Sequence, residues 1–459
     1  MKNANTPVSR WTRPACAVVL VALYVMCSSA ASAQATLGYN IVQGSTGNLD
    51  SSSFLDASAF TGTDVCAKLY AAISATYPTG PRVVDGRGLN SGNTTMTCAS
   101  GSTPWQQGSS STLHQSIVLL PAGTITINTT WIIPAQTQVF GEGPRNTTIV
   151  ANTGFSGDMI EFGGAANCSS QCFAIGVSDL MVNGNSQSIN GIVNSWAGEQ
   201  SYVNNVSIHE LAETGLYIGS GGTNSGPYTN LSITSVSSGV AATACVKIEG
   251  ASTRGIHGMT CTSDYIESTG GPTAGVYLDG DSNTIEDLHF EGFHDGIVVG
   301  DSGMARGNVI FNVTGSGGGN SGAIDNVVEI CSSTAVSPCT VASDVTDLSL
   351  LGINANQGQF HTVYMVKDDE TSTDIAAPAY PAQGFLGLYA LGEKIGSGYS
   401  RFVTNTSGAP EIPTWGVGST VPGSSCTGQN GSLFSNTGVI VSNPATLWAC
   451  VSGTWKPII

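Results

Sequence analysis

One pattern constrains this chain more than any other: an eight-residue segment that recurs seven times with the same alternation. The copies are VSDLMVNG from Val177, VNNVSIHE from Val203, YTNLSITS from Tyr228, IHGMTCTS from Ile256, IEDLHFEG from Ile285, NVIFNVTG from Asn308 and VTDLSLLG from Val345. The fourth and sixth positions are apolar in all seven, and the fifth and seventh are polar in six of seven each. Period two makes each copy a strand with one buried face. A second short apolar stretch follows most copies: GIVN from Gly191, GLYI from Gly215, GVYL from Gly275 and GIVV from Gly296. Copies lie 23 to 37 residues apart, too few to bury an apolar face alone, so each unit must stack on its neighbours. Strands recurring once per unit in one direction form parallel sheets whose neighbours sit ~4.8 Å apart. The expectation is an all-β chain, a single-stranded parallel β-helix, right-handed by the general preference of parallel crossovers.

The flanks of the repeat read differently. TDVCAKLYAAISAT, residues 63–76, places Cys66, Leu69, Tyr70 and Ile73 on one helical face with Thr63 as N-cap, which predicts a helix capping the raw end of the stack. From about Ala376 the repeat fades. The segment 376–459 holds Trp415, Trp448 and Trp455 with Cys426 and Cys450, and reads as a small disulfide-pinned β module. Residues 34–375 are then the β-helix with its cap.

At the other end, Lys2, Arg10 and Arg13 precede an apolar run from Ala15 to Met26 and a small-residue site at Ala31-Ser32-Ala33. That order predicts a secretory signal peptide over residues 1–33. The run is shorter than the ~20 residues a spanning helix needs, so no membrane span is expected and the destination is extracellular or periplasmic. Ten of the twelve cysteines lie beyond this segment. An even number in an exported chain predicts disulfides. Nearest-neighbour pairing joins Cys66 to Cys98, Cys168 to Cys172, Cys245 to Cys261, Cys331 to Cys339 and Cys426 to Cys450, though spacing alone leaves the connectivity open.

Charge narrows the partners. The formal net charge is −17, and loss of Lys2, Arg10 and Arg13 makes it three units more negative. An acidic chain is a poor match for nucleic acid or anionic membrane. Charged residues are only 10% of the chain, against ~25% in an ordinary globular protein; Gly, Ser, Thr and Asn replace them, as suits many short strands and turns.

The segment VLLPAGTITINTTWIIPAQTQVFGEGP, residues 118–144, carries a strand running into Pro121-x-Gly123-Thr124 and a later strand ending in Gly141-Glu142-Gly143. With VVDGRGL at 83–89, it resembles the entry coils of the pectate-lyase superfamily of right-handed β-helices, which includes pectate lyases, rhamnogalacturonases, epimerases and phage tailspikes. The resemblance covers roughly residues 54–370. It implies the fold and a polysaccharide substrate or ligand. The ordered hydrolase set of that superfamily (Asn-Thr-Asp, Asp-Asp, Gly-His-Gly, Arg-Ile-Lys) does not occur here: His257-Gly258 lacks the leading Gly, and Asp368-Asp369 comes too late. A calcium-and-arginine lyase site is likewise not discernible. Hydrolysis, β-elimination and non-catalytic glycan binding all remain open.

Two groups of outward residues carry candidate chemistry. On the short strands, Tyr217, Lys247 and Tyr277 occupy equivalent positions in successive units, with Glu249 and Asp279 beside them. Aromatic faces pack on sugar rings, and two carboxylates ~5 Å apart suit a retaining glycosidase. This group is the first expectation, Glu249 and Asp279 as catalytic residues and the other three as substrate contacts. The competing reading is outward tyrosines beside ordinary Asp-Gly and Glu-Gly turns. On the octets, His257 aligns with Glu286, and His289 lies near Glu291; a carboxylate beside an imidazole can do acid–base work, and solvated surface pairs look the same in sequence. Asp287 aligns with Asp179, Asn205, Asn230 and Asp347 and reads as a ladder at a turn. No cysteine and histidine spacing matches a zinc site, so no metal ligands are assigned. Asp279-Gly280-Asp281-Ser282-Asn283 leaves Ca²⁺ open as a cofactor without matching an EF-hand. A homotrimer is left open as an assembly.

Overall fold

The computed structural model describes residues 54–75, 82–91, 94–164, 167–168, 171–211, 213–235, 244–263, 274–293, 295–301, 305–316, 326–330, 345–346, 348–356, 364–368, 375–376, 384–395, 398–403, 415–418, 433–436, 447–451 and 454–457. The chain divides into two units at Phe54/Leu55, and the architecture is that of the second, Leu55–Ile459. It is a parallel β-solenoid of about eight turns.

The octets form one sheet. Strands Gly176–Gln187, Tyr202–Leu211, Tyr228–Ser235, Ile256–Ser263, Thr284–Glu291, Val309–Ser316 and Leu348–Asn356 pair successively and in parallel. Upstream, Arg82–Asp85, Ser116–Leu119 and Gln138–Phe140 lead into the same sheet, also parallel. The short segments form a second parallel sheet: Trp131–Ile133, Ile160–Phe162, Ile192–Asn194, Leu216–Ile218, Val246–Ile248, Ala274–Leu278, Asp295–Val299, Asn326–Ile330 and Tyr364–Asp368. Side chains from both sheets meet in one continuous apolar core.

Register corrects two of the seven copies. Ile285 pairs with Ile310, and Ile310 with Leu350. The last two octets therefore start at Ile310 and Leu350, not at Asn308 and Val345. Val313 and Ile353 are buried at the fourth position, whereas Phe311, expected there, is 40% exposed. The reason lies at the third position. Asp179, Asn205, Asn230, Gly258, Asp287, Asn312 and Gly352 all have positive φ, between 52° and 72°. The left-handed residue at the third position of each octet resets the alternation, so positions one and four both face the core. Asn, Asp and Gly are the residues that tolerate that conformation. The carboxamides then bond along the stack: Asn205 Nδ2 donates to Asp179 Oδ1 at 2.6 Å and Asn312 Nδ2 to Asp287 Oδ1 at 2.5 Å. Asp287 thus belongs to this side-chain ladder at the left-handed positions; Asp347 lies outside the described residues.

Core volumes compensate between turns. Phe290 is fully buried, and its ring lies over Gly296 and Gly315; a Cβ at Gly296 would stand 1.7 Å from Phe290 Cζ.

The helix runs from Val65 to Ala75 and buries Val65, Cys66, Leu69, Ala72 and Ile73. Tyr70 is only half-buried. Its cap is Asp64, whose Oδ1 accepts from Ala67 N at 2.9 Å, rather than Thr63. Disulfides join Cys66–Cys98, Cys168–Cys172 and Cys245–Cys261; Cys331, Cys339 and Cys426 lie outside the described residues. Beyond the last octet the sense of pairing changes. Gly384–Ile395 pairs antiparallel with Leu348–Asn356, and Gly398–Val403 with Gly384–Ile395. A separate sheet joins Trp415–Gly418, Leu433–Asn436, Leu447–Val451 and Thr454–Pro457. Among the described residues, no helix is long and apolar enough to cross a membrane.

Candidate functional site

Three short strands position the principal group. In Leu216–Ile218, Val246–Ile248 and Val276–Leu278 the flanking residues are fully buried and the central one is partly exposed. Period two thereby turns Tyr217, Lys247 and Tyr277 outward, and register places them on successive rungs. Each strand then ends in the same bond. Glu249 N donates to Ile218 O at 2.7 Å, Asp279 N to Ile248 O at 2.8 Å and Gly300 N to Leu278 O at 3.0 Å. Glu249, Asp279 and Gly300 therefore stack, one per turn, on the same side of the strand ends. Asp301 follows Gly300 directly.

The side chains divide into two environments. Lys247 Nζ lies 2.9 Å from Glu249 Oε1, and Tyr217 OH donates to Glu249 Oε2 at 2.5 Å. Burial raises the proton affinity of Glu249, but the Tyr217 and Lys247 hydrogen bonds and the Lys247 charge outweigh it. The net pKa lies below the usual 4.5, so this carboxylate stays ionised. Tyr217 moves up in turn, first by burial, then by its hydrogen bond to Glu249, and then by the Glu249 and Asp279 charges. Asp279 is only 6% exposed. Asp301 is shifted the other way from Glu249: burial, then repulsion from Asp279, raise it above 3.8 against the pull of Lys247. Glu249 and Asp301 are thus shifted in opposite directions, two turns apart on one surface with Asp279 between them; carboxylates whose environments separate their proton affinities are what acid–base chemistry uses.

Asp301 was not among the sequence candidates. Its signal was present: GVYLDG at 275 and GIVVGD at 296 end equivalent strands with a carboxylate displaced by one residue.

The octet candidates lie on the other sheet. His257 Nδ1 is 2.5 Å from Glu286 Oε1, and Nε2 is 2.6 Å from Arg254 O. Both ring nitrogens face acceptor oxygens, so both are engaged and a second proton is needed, on the ring or on Glu286, to make both bonds. His289 Nε2 lies 3.1 Å from Glu291 Oε1 on an exposed surface. The structure brings neither pair together with Glu249 and Asp279.

The Asp279–Asn283 turn has structural work for its oxygens. Asp281 Oδ1 accepts from Arg306 N at 2.8 Å, and Asn283 Oδ1 from Thr253 N at 3.0 Å and Thr253 Oγ1 at 2.6 Å. Asn308 continues this ladder, donating to Gly280 O at 2.9 Å. Asp281 Oδ1 and Asn283 Oδ1 are thus occupied by donors from the neighbouring segments at Thr253 and Arg306. Among the described residues the one cluster with metal-ligand types is Asp64, Cys66 and Cys98. There the sulfurs form a disulfide and the carboxylate caps the helix.

No protein-family model matches the chain, and no curated protein sequence does. Among solved structures it is similar to the ORF18 protein of Geobacillus virus E2, at 13% identity over 92% of this chain and 89% of that one, with TM-score 0.34. It is also similar to the enzymatically active domain of tailspike protein 2 of bacteriophage CBA120, at 11% identity and TM-score 0.39, over 73% of this chain and 59% of that one. A third is the A-module of mannuronan C-5 epimerase AlgE4 from Azotobacter vinelandii, at 11% identity and TM-score 0.24, over 65% of this chain and 94% of that one.

Proposed function

We propose that this chain is an exported polysaccharide-acting protein that hydrolyses a glycosidic bond over the short-strand sheet. The observation that carries the reading is the stacking of carboxylates at successive strand ends, Glu249, Asp279 and then Asp301, beside the outward Tyr217 and Tyr277; the opposite shifts of Glu249 and Asp301 agree with it. Glycoside hydrolysis needs a carboxylic acid to protonate the leaving oxygen and a carboxylate to face the charge developing at the anomeric carbon. Asp301 is the acid. Glu249 is the carboxylate, held in place by Tyr217 and Lys247. Asp279 raises the proton affinity of Asp301 through its own charge. Tyr277 offers an aromatic face to a sugar ring. The same reading includes a signal over residues 1–33, an oxidising compartment for the disulfides, the helix as the end cap, a right-handed coil and a C-terminal module over 376–459.

A second reading has its own support. Both oxygens of Glu249 are already engaged inside the protein, as in a structural network, and a non-catalytic glycan-binding surface would need no more. A panel of neutral, basic and acidic glycans separates the two. Hydrolysis yields new reducing ends without the ultraviolet absorbance of unsaturated sugars. Asp301→Asn and Glu249→Gln should each lower turnover by about 100-fold or more. Unsaturated products would replace hydrolysis by elimination, and retention of a glycan without any turnover would establish the binding reading instead.

A further inference from the structure

We infer that this surface takes the end of a glycan chain, about three sugar rings long on rungs ~4.8 Å apart, and does not grip the interior of a long polysaccharide. The inference rests on the reading of the surface as a polysaccharide site and assigns the part of the substrate it receives. It follows from where the outward face of the short-strand sheet is open and where it is covered. One outward ladder runs through this sheet, a residue per turn, from Ile132 to Lys367. Tyr217, Lys247 and Tyr277 are three consecutive, partly exposed rungs in its middle. The ladder is covered beyond Tyr277. Val298 follows Tyr277 and Glu329 follows Val298, and each is only 2% exposed. An outward valine and an outward carboxylate lose their solvent only where other atoms lie over them. Part of the cover is Lys367, whose Nζ reaches back to Glu329 Oε1 at 2.6 Å. A buried carboxylate is costly unless paired, so this bridge keeps that end closed.

The other end is closed by a loop. Val193 precedes Tyr217 in the ladder and is buried. Below it, the chain leaving Ile160–Phe162 turns across the outward face. A Cβ at Gly164 would stand 3.2 Å from Ile132 Cγ2 and 3.4 Å from Glu161 Oε1, outward side chains of two successive strands. Gly164 has φ 97°, which glycine adopts without strain. The loop is then tied along the stack. The Cys168–Cys172 disulfide closes it, Cys172 N donates to Trp196 O at 2.7 Å, and Gln171 Nε2 donates to Thr223 O at 3.4 Å. It therefore reaches the turns after Ile192–Asn194 and Leu216–Ile218. Between the loop and the Lys367–Glu329 bridge, three open rungs leave ~14 Å along the axis. A polysaccharide continuing along the axis would have to cross both. A chain end sets its last residue against one wall, and the rest of the chain leaves the surface before the other.

Binding is measured by calorimetry with cello-, malto-, laminari-, chito- and mannuronate oligosaccharides of two to six residues. Products are sized from the parent polysaccharide of each series that is turned over. In a series that binds, affinity should rise about tenfold or more from dimer to trimer and change less than about twofold from trimer to hexamer. Products should be three residues or shorter from the first time points, while the viscosity of the polysaccharide persists. Lys367→Ala/Glu329→Ala removes the bridge without leaving a buried charge, and Cys168→Ser/Cys172→Ser unpins the loop. Each variant, once shown to be folded by circular dichroism, should extend the rise in affinity to longer oligomers. If a variant does not fold, the length series of the parent protein decides alone. Affinity climbing steadily to the hexamer, or viscosity falling before short products appear, would overturn the inference and leave the polysaccharide site standing. An unchanged plateau in both folded variants would do the same. Binding of no series would overturn the reading of the surface as a polysaccharide site, and this inference with it.

Discussion

Asp301 shows what one side chain adds. Its pKa lies above 3.8 because burial and Asp279 both disfavour its charge. The sign follows directly: the folded state holds this proton more tightly than the unfolded one. Its contribution to stability is therefore fully present below the unfolded value and lost as pH rises through the folded value. Asp301→Asn keeps the shape and removes the ionisation. The variant should be more stable than the parent at neutral pH, and the difference should vanish in acid, as read by urea midpoints across pH. An equal difference at all pH values would mean that Asp301 acts through packing alone. This residue was hard to find in the sequence because a carboxylate shifted by one position after a strand reads as ordinary turn variation. Glu249 and Asp279 were legible because each directly follows the equivalent short strand of its own turn. What the sequence did not reveal was that Tyr217 and Lys247 both turn onto Glu249, since side-chain pairing across a turn depends on the coil's curvature.

The strand is the element on which the register depends. Its period-two signal was sufficient to find five of the seven copies in the register observed. It failed at Val309–Ser316 and Leu348–Asn356 because those strands are apolar at too many neighbouring positions. Val309, Ile310, Phe311 and Val313 fit several alignments when only apolar spacing is scored. The discriminating marker was Asn312 and, in the last copy, Gly352, each at the left-handed third position. That position predicts a specific pattern of substitution. Asn205→Val forces a β-branched residue into positive φ and deletes the bond to Asp179, and should cost about 2 kcal/mol. Asn205→Gly loses the same bond and keeps the conformation, so it should cost less. Denaturant unfolding of the pair checks this; a glycine variant as unstable as the valine one would show that the amide bond, and not the backbone, holds the ladder.

At the scale of the molecule, the parallel stack is what turns scattered residues into a surface. Tyr217, Lys247 and Tyr277 are separated by 30 residues at each step in the chain yet occupy adjacent rungs. The composition pointed to this architecture through its many small polar residues. The antiparallel close was not legible, because Gly384–Ile395 and Gly398–Val403 carry no copy of the octet. Those strands cover the last parallel strand and leave the repeat without a free parallel edge there. The proposed surface exists only in this register, which cysteine cross-linking measures most directly. Neighbouring rungs lie ~4.8 Å apart, within the span a disulfide bridges, whereas alternate rungs lie beyond it. Under mild oxidation, Lys247→Cys with Tyr277→Cys should give a bridged peptide by non-reducing mass mapping, and Tyr217→Cys with Tyr277→Cys should not. A bridge in the second pair, or none in the first, would contradict the stacking from which the proposed surface is built.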